Sequence, residues 1–274
     1  MPVSCSQELK QATPSLDGYI FQKKIGQGFF GSVWLAYDIK AKVNCAIKVL
    51  ESSSMMMNEI DNEISAYKAG KDCIFVVDFI GSSYAGGRSF IVMELVKGRT
   101  LADCNMAKKG INWTCSDARI VVSEIAIALD YMHTRGISHS DLHSGNILLD
   151  DHGHVKLIDF GSASFHDRTL NEEDVLEFEQ DWEDLSHILY EMVTGKKFEV
   201  RWNNDDDNKG PFFSESLDID YRCQHFITWT SGFDETWPAP TLETIKYHPF
   251  FEDFSWKDIE NRSSMGPFLP PQLP

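Results

Sequence analysis

The chain has 274 residues, 42% hydrophobic and 12% aromatic, enough to bury a sizeable core and too apolar for disorder along its whole length. With 42 acidic against 25 basic residues it carries a formal charge of −17, which disfavours nucleic acid and anionic membranes and suits a basic partner, though such acidity also serves solubility. No run of 18 apolar residues occurs, so no membrane span is expected, and the six cysteines (5, 45, 73, 104, 115 and 223) form no CxxC pair of the kind that holds zinc or runs redox exchange. The segment Met1-Pro2-Val3-Ser4-Cys5 has neither a basic stretch nor an apolar stretch, and residue 2 is not glycine, so neither a signal peptide nor myristoylation is expected. A monomer with reduced thiols, cytoplasmic or nuclear, is the corresponding expectation.

Residues 1–18 read as a polar leader. Short apolar runs broken by glycines and polar turns predict strands over 19–26, 31–38 and 43–50. Met56, Ile60, Ile64 and Tyr67 recur at helical spacing, predicting a helix over 55–69, and strands follow at 74–80 and 89–96. After Gly98 the pattern turns helical. A helix over 116–134 is apolar around much of its circumference and so should be buried, with Gly136 ending it. Runs at 146–149 and 154–158 flank Asp150-Asp151-His152-Gly153 as a hairpin. A second buried helix is predicted over 181–194, a polar loop with Asp205-Asp206-Asp207 over 202–211, and helices over 218–230 and 240–247 before a proline-rich tail. The fold class is α+β, a small β-rich unit over 19–96 and a larger helical unit over 97–274, with the boundary near 95–98.

Three motifs carry chemistry. Gly26-Gln27-Gly28-Phe29-Phe30-Gly31 lies between two predicted strands, whereas a Rossmann glycine motif would run straight into a helix. Ala46-Ile47-Lys48 follows on the next strand. His139-Ser140-Asp141-Leu142-His143-Ser144-Gly145-Asn146 precedes a hairpin and then Asp159-Phe160-Gly161. In this order they resemble the glycine lid, the VAIK strand, the HRDxxxxN catalytic loop and the DFG triplet of eukaryotic protein kinases. Ile245-Lys246-Tyr247-His248-Pro249-Phe250-Phe251, with Trp256, resembles the end of an AGC-group serine/threonine kinase domain over 19–251, followed by a short tail.

The resemblance implies a bilobal fold, ATP and Mg²⁺ as cofactors, and transfer of the γ-phosphate to a protein hydroxyl. Asp141 would orient or deprotonate the acceptor. Lys48 would hold the α- and β-phosphates, paired with Glu63 in preference to Glu59. Asn146 and Asp159 would hold the metal. Ile25, Gly26, Gly28, Gly31 and Val33 would cover the nucleotide together with Ala46 and Leu148, Met93 would stand behind it, and the backbone of Glu94 to Val96 would meet the adenine. Asp181 would brace the catalytic loop, and His139 and Phe160 would be packing residues.

The chain also departs from the pattern. Ser140 stands for the arginine that normally binds a phosphorylated activation loop, so loop phosphorylation is not expected to be the switch. His143 stands for a lysine. Only 22 positions separate Asp159 from Asp181, no APE triplet lies between them, and no arginine for it occurs in 233–238. The acidic run Glu172, Glu173, Asp174, Glu177, Glu179, Asp181, Glu183, Asp184 suits a basic protein substrate or is merely a solvated helix face. Two alternatives stay open: a pseudokinase acting as an ATP-binding scaffold, and a small-molecule kinase of the aminoglycoside or choline kinase type, whose HGDLHPGN loop the segment 139–146 also resembles.

Overall fold

The structure, a computed structural model, describes residues 14–28, 31–51, 57–107, 113–166, 172–202, 209–215, 217–234 and 236–263. Most of the leader, the Phe29-Phe30 tip of the glycine segment, the Asp205–Asp207 run and the proline-rich tail lie outside these residues. Two compact units are present. One contains the described residues up to Met57 together with Phe79–Leu95; the other contains Asn58–Asp78 and the described residues from Val96 onward.

The first unit is an antiparallel sheet of β1 (Tyr19–Gln27), β2 (Gly31–Asp38), β3 (Val43–Glu51), β4 (Phe79–Ala85) and β5 (Arg88–Glu94), in the order β1-β2-β3-β5-β4. Side chains alternate across a strand, so Cys45, Ile47 and Val49 share a face with their neighbours Ala36, Phe90 and Val92, and Leu16 completes that core. Asp38 closes the β2–β3 turn, its Oδ1 accepting the Lys40 and Ala41 N–H groups at 2.8 Å each. Gly86-Gly87, both at positive φ, form the two-residue turn between β4 and β5.

The helix α1 (Met57–Ala69) falls almost wholly in the second unit, whereas the sequence places it in the first. The remaining elements there are β6 (Gly98–Thr100), α2 (Leu101–Ala107), α3 (Cys115–His133), β7 (Ile137–Ser138), β8 (Ile147–Asp150), β9 (Val155–Leu157), β10 (Ser164–Phe165), α4 (Glu172–Thr194), β11 (Val200–Trp202), β12 (Lys209–Pro211), α5 (Tyr221–Thr230), α6 (Leu242–Tyr247) and α7 (Trp256–Glu260). Thr114 caps α3, accepting the Asp117 N–H, and Val121, Val122, Ile125, Ala128 and Leu129 are fully buried. No helix among the described residues is long and apolar enough to cross a membrane.

Three elements differ from the sequence expectation. The strand expected over 74–80 begins only at Phe79. Phe75, Val76 and Val77 are all buried and make an isolated bridge to Leu157, so this apolar run is a core plug without strand alternation. The helix expected to begin at 181 begins at Glu172. The loop expected over 202–211 is flanked by paired arms, β11 against β12.

The His248-Pro249-Phe250-Phe251 segment forms an aromatic nest with Phe226, Trp229 and Trp237, in which His248 stacks on Trp229 at 5.2 Å and is 1% exposed. His248 Nδ1 accepts the Phe250 N–H (3.0 Å), so Nε2 carries the proton and donates to His225 Nδ1 (2.8 Å), while His225 Nε2 faces Asp234 (3.1 Å). Burial, and then His225, lower His248 to about 4. An unfolded histidine takes up its proton near pH 6.5, whereas this one resists it, so the unfolded chain binds more protons below that pH. Stability from this group is full above about pH 6.5 and is lost as pH falls toward 4, by up to about 3 kcal/mol. Denaturation midpoints at pH 7.5 and 5 should therefore differ less in His248→Gln, which can keep both hydrogen bonds. An equal pH slope in the two proteins would contradict the assignment.

Candidate active site

In the first unit the register brings the expected nucleotide residues to one face. Gly26 lies opposite Val33, Val33 opposite Lys48, and Ala46 opposite Met93. Directly paired residues project to the same side, so Val33, Ala46, Lys48 and Met93 share the face opposite the Cys45–Ile47–Val49 core. Lys48 and Met93 are each 6% exposed, whereas Ile25 beside a β-bulge is exposed and Glu94 is half-buried at the end of β5. The Gly28 N–H donates to the Gly31 carbonyl (2.9 Å), closing the turn between β1 and β2. The glycines differ in their reason for being glycine. A Cβ on Gly31 would collide with the Val49 carbonyl oxygen, so the sheet itself requires it. Among the described residues a Cβ on Gly28 would meet only the Gly31 oxygen at 3.9 Å, so these residues leave room for a side chain there.

In the second unit Glu63 is 2% exposed and Glu59 is exposed. One turn beyond Glu63, Tyr67 is fully buried and its Oη accepts the Asp159 N–H at 3.0 Å. Burial, then the charges of Glu63 and Asp159, push the Tyr67 phenol well above its ordinary value. Phe160 packs edge-on against Tyr67 at 5.2 Å and against His139 at 5.0 Å. The packing role expected of His139 and Phe160 is what these contacts describe. Tyr67 was not singled out from the sequence, though its position four residues after Glu63 was the available signal. Leu148 lies half-buried in β8 opposite Thr100 and Lys156, and Val96 is half-buried between β5 and β6.

The residues of the 139–146 loop come together around Asp141. Asn146, 7% exposed, donates from Nδ2 to the Asp141 carbonyl (2.9 Å), while its own carbonyl accepts the Ile158 N–H (3.0 Å), next to Asp159. The Asp141 side chain is 54% exposed. Behind it, Asp181 of α4 is fully buried. Its Oδ2 accepts the His139 N–H (2.8 Å) and lies 2.7 Å from His133 Nε2, and its Oδ1 accepts the Ser140 N–H (2.9 Å). These bonds hold Ser140 at φ +59, and Asp159 stands at φ +61. For non-glycine residues such left-handed backbone costs about 1–3 kcal/mol each, and it persists only where surrounding contacts enforce it.

Residues 19–251 match the protein kinase domain family. This chain belongs to the protein kinase family. It is 36% identical to a probable serine/threonine-protein kinase of Dictyostelium discoideum, covering 59% of this chain and 34% of that one. It is 27% identical to protein kinase C of Drosophila melanogaster over 98% of this chain and 40% of the relative. It is also 28% identical to a probable cAMP-dependent protein kinase catalytic subunit of Encephalitozoon cuniculi, over 93% and 86% respectively. The kinase thus spans about a third to two-fifths of the first two relatives, and its likeness is AGC-like.

Within this kinase the departures have definite geometry. His143 Nδ1 accepts the Gly145 N–H (3.0 Å), so its proton sits on Nε2, 3.9 Å from Asp141 Oδ2. A neutral donor therefore stands beside Asp141, where the family pattern has a lysine. The acidic run does not form one solvated face: Asp181 points inward, while Glu183 and Asp184 are half-buried. Burial, then the charges of Asp181, Glu183 and Asp141, push Asp184 up to about 6.

Proposed function

We propose that this kinase domain transfers the γ-phosphate of Mg-ATP to a serine or threonine hydroxyl of a protein substrate. The observation that carries the reading is Asp141. It is an exposed carboxylate on a loop whose preceding backbone is locked by the buried Asp181 and whose carbonyl is tied to Asn146. Such a group is free to meet an acceptor hydroxyl yet fixed in direction, as a general base needs. Because the Asn146 amide nitrogen is committed to Asp141, its oxygen is left to face a cation, and Asp159 adds a hard carboxylate; Mg²⁺ asks for few protein ligands beside phosphate and water. The metal would neutralise phosphate oxygens, and Lys48 with the Gly26–Gly31 turn would hold the triphosphate.

The relatives are named as protein kinases, which supports a protein acceptor over a sugar or amino alcohol. The acidic run over 172–184 would favour Arg- or Lys-containing substrates. A second reading, nucleotide binding without turnover, draws on the neutral His143 in place of a lysine. Radiolabelled ATP with a mixed panel of acceptor proteins decides between them. Wild type is expected to label basic acceptors, and Lys48→Met to lose labelling by about a hundredfold or more with an unchanged circular-dichroism spectrum. Metal-dependent nucleotide binding with no labelling above Lys48→Met would favour the second reading.

A further inference from the structure

Behind the catalytic loop, three segments of the second unit meet in one hydrogen-bonded cluster. The stretch following Asp159-Phe160-Gly161 pairs with the strand leading into the loop, Ser164 opposite Ser138 and Phe165 opposite Ile137, and the His166 N–H donates to the Gly136 carbonyl at 2.7 Å. This places the His166 ring, its side chain 3% exposed, with Nε2 at 2.9 Å from Ser138 Oγ. From α4, Glu177 Oε2 lies 3.1 Å from Ser138 Oγ, 3.3 Å from Ser140 Oγ and 3.5 Å from His166 Nε2. Ser138 Oγ and Ser140 Oγ are 2.8 Å apart. Phe178 packs against the rings of both His133 and His166, at 4.6 and 4.7 Å.

One arrangement of protons links the cluster in a chain: His166 Nε2–H donates to Ser138 Oγ, the Ser138 hydroxyl donates to Ser140 Oγ, and the Ser140 hydroxyl donates to Glu177 Oε2. Glu177 stands one turn before Asp181 on the same face of α4. Asp181 holds the Ser140 backbone and Glu177 holds its side chain, so two carboxylates grip the residue that is forced into left-handed backbone immediately before Asp141. The sequence has Ser140 where the family pattern has an arginine that draws in a phosphorylated segment. The structure supplies a carboxylate at that point, which would repel a phosphate.

We propose that Ser138, Ser140, His166 and Glu177 are positioning residues for phosphate transfer: a built-in clamp that joins the segment after Asp159 to the catalytic loop and to α4, holding Asp141 in working position without any phosphorylation. This inference rests on the kinase reading above and adds to it how the site is kept competent.

The test compares phosphatase-treated wild type with Glu177→Ala, Glu177→Gln and Ser140→Ala. It combines steady-state transfer to a lysine- and arginine-rich acceptor protein with hydrogen–deuterium exchange at the amides of residues 138–142. Wild type is expected to keep its turnover after phosphatase treatment. Glu177→Ala should lower kcat about thirtyfold with KM for ATP within about twofold, and Ser140→Ala about threefold, because misdirection of a fixed base acts on the chemical step. Glu177→Gln keeps an acceptor oxygen for the Ser140 hydroxyl and should recover most of the loss. Exchange at 138–142 should rise in Glu177→Ala and stay at the wild-type level in the rest of the second unit. Loss of wild-type turnover on phosphatase treatment would overturn the proposal. So would an unaltered kcat in Glu177→Ala, or exchange rising evenly across the unit, which would mark a purely structural role. If wild type transfers no phosphate, the kinase reading fails, and the exchange data alone judge the clamp: unchanged protection of 138–142 in every variant overturns it, and selective loss in Glu177→Ala upholds it.

Discussion

Asp141→Asn is expected to lower kcat about a thousandfold while nucleotide affinity stays within about twofold of wild type, the loss typical of removing a general base. The substitution keeps the shape of the side chain. It also keeps the bond that defines the loop, because Asn146 donates to the backbone carbonyl of residue 141, with the side-chain oxygen a distant second partner at 3.5 Å. The Asp181 brace acts on His139 and Ser140 and is untouched. What disappears is a carboxylate that is 54% exposed, within reach of an acceptor, with Asn146 Nδ2 at 3.5 Å and His143 Nε2 at 3.9 Å. Asp159→Ala provides the contrast. It should abolish turnover and also weaken Mg²⁺-dependent ATP binding, because its carboxylate is proposed to hold the cation. Isothermal titration with and without Mg²⁺, run beside the turnover assay, separates the two. Turnover of Asp141→Asn within tenfold of wild type would remove Asp141 from its proposed role.

Asp181→Ala is expected to be among the most damaging single changes to the fold, costing about 3–5 kcal/mol. Its carboxylate is fully buried, accepts two backbone N–H groups at 2.8 and 2.9 Å, and faces the His133 ring at 2.7 Å. Truncation leaves those donors in a space sealed by Trp182 and Phe178, whose rings pack against His133, so water cannot readily replace the lost acceptor. Asp181→Asn should recover little, since one end of an amide is a donor and would face groups that also donate. Urea denaturation gives the number directly. A shift below about 1 kcal/mol for Asp181→Ala would show that the brace is dispensable.

Much of this was legible in the sequence because it follows periodicity or fixed spacing. The strands over 19–27, 31–38 and 43–51 were marked by apolar alternation between glycines and turns. Glu63 was preferred to Glu59 because its distance from Lys48 fits the family pattern; Glu63 is buried and Glu59 exposed. The brace by Asp181 was implied by the family resemblance, and its carboxylate accepts the His139 and Ser140 N–H groups. Other features had no local signature. The start of α4 at Glu172 was hidden because a charged, weakly apolar stretch carries little helical periodicity. Residues 75–77 imitate a strand by composition, yet they pack as a plug against Leu157. The cluster around Ser138 joins residues 28 and 39 positions apart, and no spacing rule reaches that far. Gly31 was expected to help cover the nucleotide, and the nearest demand for glycine there comes from the neighbouring strand at Val49.

Ser140 and Asp159 both sit in a backbone region that side chains ordinarily avoid, one just before the proposed base and the other at the proposed metal ligand. Selection for heat resistance alone would therefore favour glycine at position 140, which relaxes the tension but also slackens the loop. Durability and turnover pull in opposite directions at that single position, so a lineage that keeps serine there gives up some robustness in return for a well-aimed carboxylate.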